Sequence, residues 1–307
     1  MKTLIVGGAG YIGSYITEIL NASVLDKLIF SDRFFVDVPF FYGDVRNLKD
    51  LEVCHNYDCV IALAGIVGDA ACAVDKQFTY DTNVNHVKWL ADNFKGKIVL
   101  TSTCSVYGKN DKLLSEESEV NPLSIYAETK LEAEQYLYTH RPDSLIFRLG
   151  TLYGMSGKYG RPRLDLVVNF LTLKAVLGET LRVFGGDQWR PILHVRDVGE
   201  AIKFGIDNNI TGLYNIGEEN TTIKAIGEKI LQMIPGNISY EDILFEDKRN
   251  YKVSFDKIKS KGWQAKHNFT DGVAEMINVF KENRIRNPFD ILYHNGNFIK
   301  QHIEELK

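Results

Sequence analysis

The run Gly7-Gly8-Ala9-Gly10-Tyr11-Ile12-Gly13-Ser14 directly follows the apolar stretch Leu4-Ile5-Val6, and that pairing constrains the chain more than any other feature. It predicts a strand, a glycine turn and a helix start. In such a turn Gly7 permits the backbone conformation, Gly10 lets the chain approach a pyrophosphate, and Gly13 lets the helix pack on the strand. Free N–H groups at the helix start, around Tyr11 and Ile12, then face an anion, as at a dinucleotide site.

A second apolar stretch, Lys27-Leu28-Ile29-Phe30-Ser31, is expected as the next strand and ends in Asp32. An acid about 20 residues beyond the glycines accepts hydrogen bonds from the adenosine ribose and repels a 2′-phosphate, which favours NAD over NADP. Arg33 follows it, and a guanidinium there could pair with that phosphate, so NADP stays open as the lesser alternative.

With 307 residues, 45% of them hydrophobic, the chain can bury a full core and hold one large or two small domains. A net charge of -4 gives no nucleic-acid footprint. Lys257 to Lys261 reads as a solvated helix face. No apolar run approaches the roughly 18 residues of a membrane span, and no cleavable leader is evident, so a soluble cytoplasmic protein is expected. Cys54, Cys59, Cys72 and Cys104 form no C-x-x-C pair, so no metal site and only reduced thiols are expected.

The first half alternates short apolar runs with helical patterns, as an α/β, doubly wound parallel sheet of Rossmann type requires. Further strands are expected at 40–42, 59–64, 97–103 and 145–149, with helices at 48–56, 84–94 and 126–140. Beyond Gly150 the segment with Gly154, Gly157, Gly160 and Pro162 is irregular, a helix is expected over 164–177, and the run 212–217 is apolar enough to return to the main sheet. The expected division is a cofactor domain of residues 1–150 plus about 192–218, interleaved with a smaller substrate domain of about 151–191 plus 219–307.

Tyr126 and Lys130 stand four apart, one helical turn from each other on one face. An ammonium beside a phenol favours the phenolate, lowering a pKa of about 10 toward neutrality so that tyrosine can take a hydroxyl proton. The segment Thr101-Ser102-Thr103-Cys104-Ser105-Val106-Tyr107-Gly108 at an expected strand end offers hydroxyls to the same substrate oxygen.

Together these residues resemble the extended short-chain dehydrogenase/reductase family, the NAD-dependent nucleotide-sugar epimerases and dehydratases. Gly7, Gly10 and Gly13 match its cofactor turn, Gly43-Asp44-Val45 its adenine-side segment, Leu63-Ala64-Gly65 its fourth strand end, and Asn83 an asparagine on the following helix. The resemblance implies that Thr103, Tyr126 and Lys130 are catalytic, and that Lys130 also holds the nicotinamide ribose. It further implies a homodimer through the helices at 84–94 and 126–140, burying Trp89 and Leu137.

Dehydratases of this family carry an Asp-Glu pair after the catalytic threonine, where this chain has Cys104 and Ser105, so elimination of water is disfavoured. Epimerisation beside a ketone is also disfavoured, because Ser105 stands where such members have cysteine. What survives is oxidation at one carbon, usually C4, with or without return of the hydride. The segments Ile66 to Cys72, Arg163 to Asn169 and Asp247 to Tyr251 look similar to a surface-polysaccharide branch that includes a GDP-heptose 4-dehydrogenase. This tips the reading toward a 4-dehydrogenase of a nucleotide-diphosphate sugar, GDP-linked before others, with a 4-epimerase or a non-catalytic dinucleotide sensor as alternatives. Arg190 matches an arginine that meets the substrate diphosphate, a task its planar fork suits. Arg249, Ser105 and Asn169 are further candidate substrate contacts. His194 reads as structural, and Cys104 as a small packed residue.

Overall fold

The computed structural model describes residues 1–30, 37–241 and 249–307. Its centre is a seven-stranded sheet in the spatial order 212–216, 145–149, 97–103, 59–62, 3–6, 23–26, 40–42, with every neighbouring pair parallel. The order reverses beside the strand Thr3–Val6, the place where open α/β sheets bind ligands beyond their strand ends. Both faces are covered. Alternate residues feed two cores, Ile5, Ile61, Val99 and Phe147 on one side and Leu4, Val60, Ile98 and Ile146 on the other. This is the doubly wound α/β fold.

The expected strands at 40–42, 97–103 and 145–149 form with those bounds, and 212–217 returns to the main sheet beside Leu145–Leu149. The second strand is a correction. It runs over Ser23–Asp26, paired Leu4 to Ser23 and Val6 to Leu25, and residues 27–30 are not part of it. Val24 and Leu25 bury fully between the layers, whereas Leu28 takes a left-handed backbone (φ 58°) that no strand continues through. Asp32 and Arg33 lie outside the described residues.

The second unit is assembled from pieces scattered along the chain. Trp189–His194 lies between Thr151–Tyr153 and Glu219–Thr222 in a three-stranded sheet, and Leu181–Phe184 pairs with Ile238–Glu241. Tyr153, Val168, Ile192, Ile230, Val273 and Met276 form its core. Lys109–Leu114, from the middle of the cofactor half, pairs with Asn250–Val253. The last helix, Asn295–Leu306, departs from the expected division, because Phe298 and Ile299 bury against Phe30, Ile66, Cys72 and Phe78 on the cofactor side.

The helix Ile125–His140 is fixed to the sheet by an ion pair inside the protein. Glu134 takes both Nη2 (2.6 Å) and Nε (3.1 Å) of Arg148 on the neighbouring strand, and Arg148 Nη1 donates to the Tyr107 hydroxyl at 2.7 Å. Both charged side chains are buried, so removing one strands the other in a low dielectric. Glu134→Ala is expected to cost about 3–5 kcal/mol of folding stability, measured as a fall in the urea midpoint at unchanged slope.

Candidate active site

The glycine turn is shaped by close approach. Gly7 has φ +91°, and a Cβ there would lie 2.5 Å from the Ala64 nitrogen; one on Gly13 would lie 2.5 Å from the Gly7 carbonyl oxygen. At Gly10 a Cβ would meet only the Gly7 carbonyl, at 3.5 Å, so the outer side of the turn is open. Tyr11 points away from that side and donates to the Gly154 carbonyl at 2.7 Å, while Ile12 packs into the core.

The acid at the end of the second strand is Asp26, in the place expected of Asp32. Its carboxylate accepts the N–H of Ala9 in the turn (3.0 Å) and of Leu28 (2.7 Å). Asp44 sits one strand further out. Burial alone would raise its pKa, but hydrogen bonds from Arg46 and Lys27 hold it at about 2. Val45 is buried beside it, and the N–H groups of Leu63 and Ala64 both donate to the Val6 carbonyl, so the fourth strand end curls toward the turn. Gly65 faces Asn83, whose amide accepts the N–H of Ile66 (2.7 Å) and donates to its carbonyl (3.0 Å) and to Thr129 (3.2 Å). Asn83 thus acts on this wall by pinning its loop to the helix Ile125–His140.

Thr103 ends the strand Lys97–Thr103, accepts the Ser105 N–H and donates to the Ser105 hydroxyl, each at 3.1 Å. Opposite it, Ser124 caps the helix Ile125–His140 by accepting the Ala127 N–H, which sets Tyr126 in the first turn and Lys130 one turn below. The Thr103 hydroxyl lies near enough to the Tyr126 phenol to influence it, and Lys130 follows Tyr126 one turn along the same helix.

The electrostatics differ from expectation. Desolvation raises the Tyr126 phenol above its usual value; the nearby Thr103 hydroxyl and the Arg163 guanidinium oppose the rise without reversing it. Lys130 is buried, and that burial lowers its pKa to about 8 against the partial support of Glu134. The protein's own groups therefore keep Tyr126 protonated and leave Lys130 easily neutralised. Burial lowers His86, on the adjacent helix Asn85–Asn93, to about 3, and the Lys130 charge adds to that shift.

A second group of side chains covers Thr103 from the substrate side. The Ser105 hydroxyl lies 3.3 Å from the Tyr251 hydroxyl and 3.5 Å from Arg249 Nη1. Arg249 also pairs with Asp69 (3.2 Å), which takes a hydrogen bond from Ser124 at 2.7 Å. Arg190 donates to the Arg249 carbonyl (2.7 Å) and stands over the Tyr251 ring. Two guanidinium groups and two hydroxyls thus gather at one wall. Asn169 is fully buried, its amide engaged with Gly154 and with the Arg163 carbonyl (2.8 Å), so it braces the loop between Gly154 and Arg163. His194 packs edge-on to Tyr153 and stacked on His267, a structural position. Cys104 is buried, donates to the Arg148 carbonyl, and has its thiol pushed up by desolvation.

Sequence reasoning missed Asp26, Tyr251, Asp69 and Arg163 as site residues. Asp26 had a visible signal, an acid after Val24-Leu25, but the longer run behind it outweighed that. Tyr251, Asp69 and Arg163 lay in segments read only for their branch likeness, and nothing local pairs Tyr251 with Ser105, 146 residues away.

The glycine turn, the acid at the second strand end and the Thr103, Tyr126 and Lys130 cluster define a dinucleotide-dependent enzyme on a Rossmann-type sheet. The chain belongs to the NAD dependent epimerase/dehydratase family, whose model matches residues 3–217, and NAD is its cofactor. It is 26% identical to UDP-glucuronic acid decarboxylase 3 of Arabidopsis thaliana over 92% of this chain and 89% of that protein. It is 25% identical to ADP-L-glycero-D-manno-heptose-6-epimerase of Brachyspira hyodysenteriae, over 80% of this chain and 84% of that one. Among solved structures, the UDP-glucose 4-epimerase of Thermus thermophilus with NAD superimposes with a TM-score of 0.78 at 23% identity, covering 92% of this chain and 99% of that one. Its relatives are nucleotide-sugar epimerases, dehydratases and decarboxylases. No helix of the described residues is long and apolar enough to cross a membrane.

Two outcomes follow from this geometry. Between pH 8 and 10.5 the unfolded chain holds the Lys130 proton more tightly than the folded one, so stability rises with pH across that window. Lys130→Met is therefore expected to be more stable than wild type at pH 7, the gap closing from about pH 8 upward, as read by denaturation at a series of pH values. Asp26→Ala is expected to weaken NADH binding about 10- to 100-fold, the scale of a hydrogen bond to a charged group, in a fluorescence titration.

Proposed function

We propose that the protein oxidises the C4 hydroxyl of a nucleotide-diphosphate sugar, with NAD as hydride acceptor, and gives a 4-keto sugar. The observation that carries this reading is the Thr103 hydroxyl near the Tyr126 phenol while the next two positions hold a buried Cys104 thiol and the Ser105 hydroxyl. Neither side chain is a carboxylate able to drive loss of water. Arg190 and Arg249 supply two planar cations for the diphosphate, with Ser105 and Tyr251 between them and the reacting carbon.

The Gly7–Gly13 turn would hold the pyrophosphate of NAD; Asp26 the adenosine ribose; Asp44, Val45, Leu63, Ala64 and Gly65 the adenine side; and Lys130 with Tyr126 the nicotinamide ribose. When bound, NAD accepts the hydride from C4. Tyr126 as phenolate takes the hydroxyl proton, and Thr103 donates to the oxygen as it becomes a carbonyl. Burial raises the Tyr126 phenol, so forming the phenolate would require positive charge beside it, which Lys130, one turn along the same helix, is placed to supply. Arg249 must exchange Asp69 for the substrate, which makes that ion pair the contact a diphosphate displaces.

A 4-epimerase is the second reading, favoured by the 4-epimerases among the relatives. The branch likeness favours a GDP-linked sugar of a surface-polysaccharide route, whereas most of the relatives' names carry UDP sugars and one an ADP-heptose, so GDP and UDP sugars both belong in the test. A non-catalytic sensor would have no use for the Tyr126, Thr103 and Lys130 cluster. A homodimer through the helices Asn85–Asn93 and Ile125–His140 remains part of the reading, with one correction: Leu137 is fully buried in its own subunit, which leaves half-buried Trp89 and exposed Tyr138 for a partner.

Mass spectrometry of products from GDP- and UDP-sugars tests the reaction. Loss of two hydrogens supports the 4-dehydrogenase, unchanged mass with altered stereochemistry supports the epimerase, and loss of water would overturn both. Tyr126→Phe should keep NADH binding and lose at least about a hundredfold in turnover.

A further inference from the structure

The helix Asn295–Leu306 touches, in succession, the segments that follow three parallel strands of the main sheet. Asn295 donates to the Val67 carbonyl (3.2 Å), and Gly296 rests on Ala70, both beyond the strand Cys59–Ala62. The Phe298 ring lies 5.2 Å from that of Phe30, beyond Ser23–Asp26. At the far end the Leu306 carbonyl accepts Lys27 Nζ (3.0 Å) and Arg46 Nη2 (2.7 Å), the latter beyond Phe40–Tyr42, and Lys307 pairs with Asp75 at 3.0 Å.

These are the carboxyl ends of the strands, where a doubly wound sheet binds its ligand, and they carry Asp26, Asp44, Val45 and Leu63 to Gly65. Lys27 and Arg46 grip Asp44 and the end of this helix at once, so the adenine-side acid and the helix are coupled through the same two cations. The helix is seated by apolar contact in its middle and by polar contact at both ends. We propose that it is a strap across the adenosine half of the cofactor site, and that NAD enters and leaves only when the strap lifts. Lifting would expose Phe298 and Ile299, now buried, and part both cations from Leu306, so exchange is slow relative to binding in an open groove.

NADH release from the full chain, followed by stopped-flow fluorescence against excess NAD, tests this and needs no sugar substrate. Phe298→Ala loosens the seat and is expected to speed release at least about tenfold. The pair Ala70→Cys with Gly296→Cys locks it: a Cβ at Gly296 would lie 3.0 Å from that of Ala70, within a small shift of disulfide geometry. Loaded with NADH and then oxidised, with the cross-link verified by mass, the locked protein should release NADH at least about tenfold more slowly and recover on reduction. Release from the cross-linked protein at the wild-type rate would overturn the proposal, whatever Phe298→Ala does. If the cross-link cannot be formed, release from folded Phe298→Ala within twofold of wild type would overturn it equally.

Discussion

The approach of the first and fourth strand ends at Gly7 and Ala64 is the constraint on which the site depends. Only a residue without a side chain lets two parallel neighbours close to that distance, with the Gly7 carbonyl in turn against Gly13. That closeness starts the helix Gly13–Leu20 directly over the switch in strand order and leaves its amide end facing the cleft. Thr103, one strand further along, and the helix carrying Tyr126 then fall on the same side of the sheet. A methyl group at Gly7 or Gly13 would disturb the fold and the cofactor site together.

Charge is handled in two different ways around this site. Glu134 and Arg148 neutralise each other inside the protein and hold the helix Ile125–His140 in register. Lys130, one turn away, is given little such compensation, and its proton is correspondingly loose. A lysine that is poorly solvated and only partly paired interacts strongly with whatever is placed beside it, at the expense of stability. Tyr126 shows the complementary case, an acid that burial holds neutral until positive charge arrives.

Much of the fold was legible because periodicity and glycine placement act locally. The strands Lys97–Thr103 and Leu145–Leu149 and the helix Ile125–His140 have unambiguous patterns, and the candidate residues Thr103, Tyr126 and Lys130 sit on two of them. The second strand was misplaced because two apolar runs adjoin, Ser23 to Leu25 and Lys27 to Ser31, and composition does not say which one pairs with Leu4 to Val6. The backbone at Leu28 and the match to the first strand decide it. The wall of Ser105, Tyr251, Arg190 and Arg249 was legible only in part. Arg190 and Arg249 carried recognisable surroundings, but the meeting of Ser105 with Tyr251 and of Asp69 with Arg249 depends on packing between distant segments.

The chain passes between the two units repeatedly: Lys109–Leu114 leaves the cofactor half to pair with Asn250–Val253, Gly212–Ile216 returns to the main sheet, and the last helix returns again. Neither unit is a cassette. A chimera joined at a single crossover would sever at least one strand pair and orphan its edge, so this architecture is more readily varied by exchanging side chains within each unit than by recombining whole units.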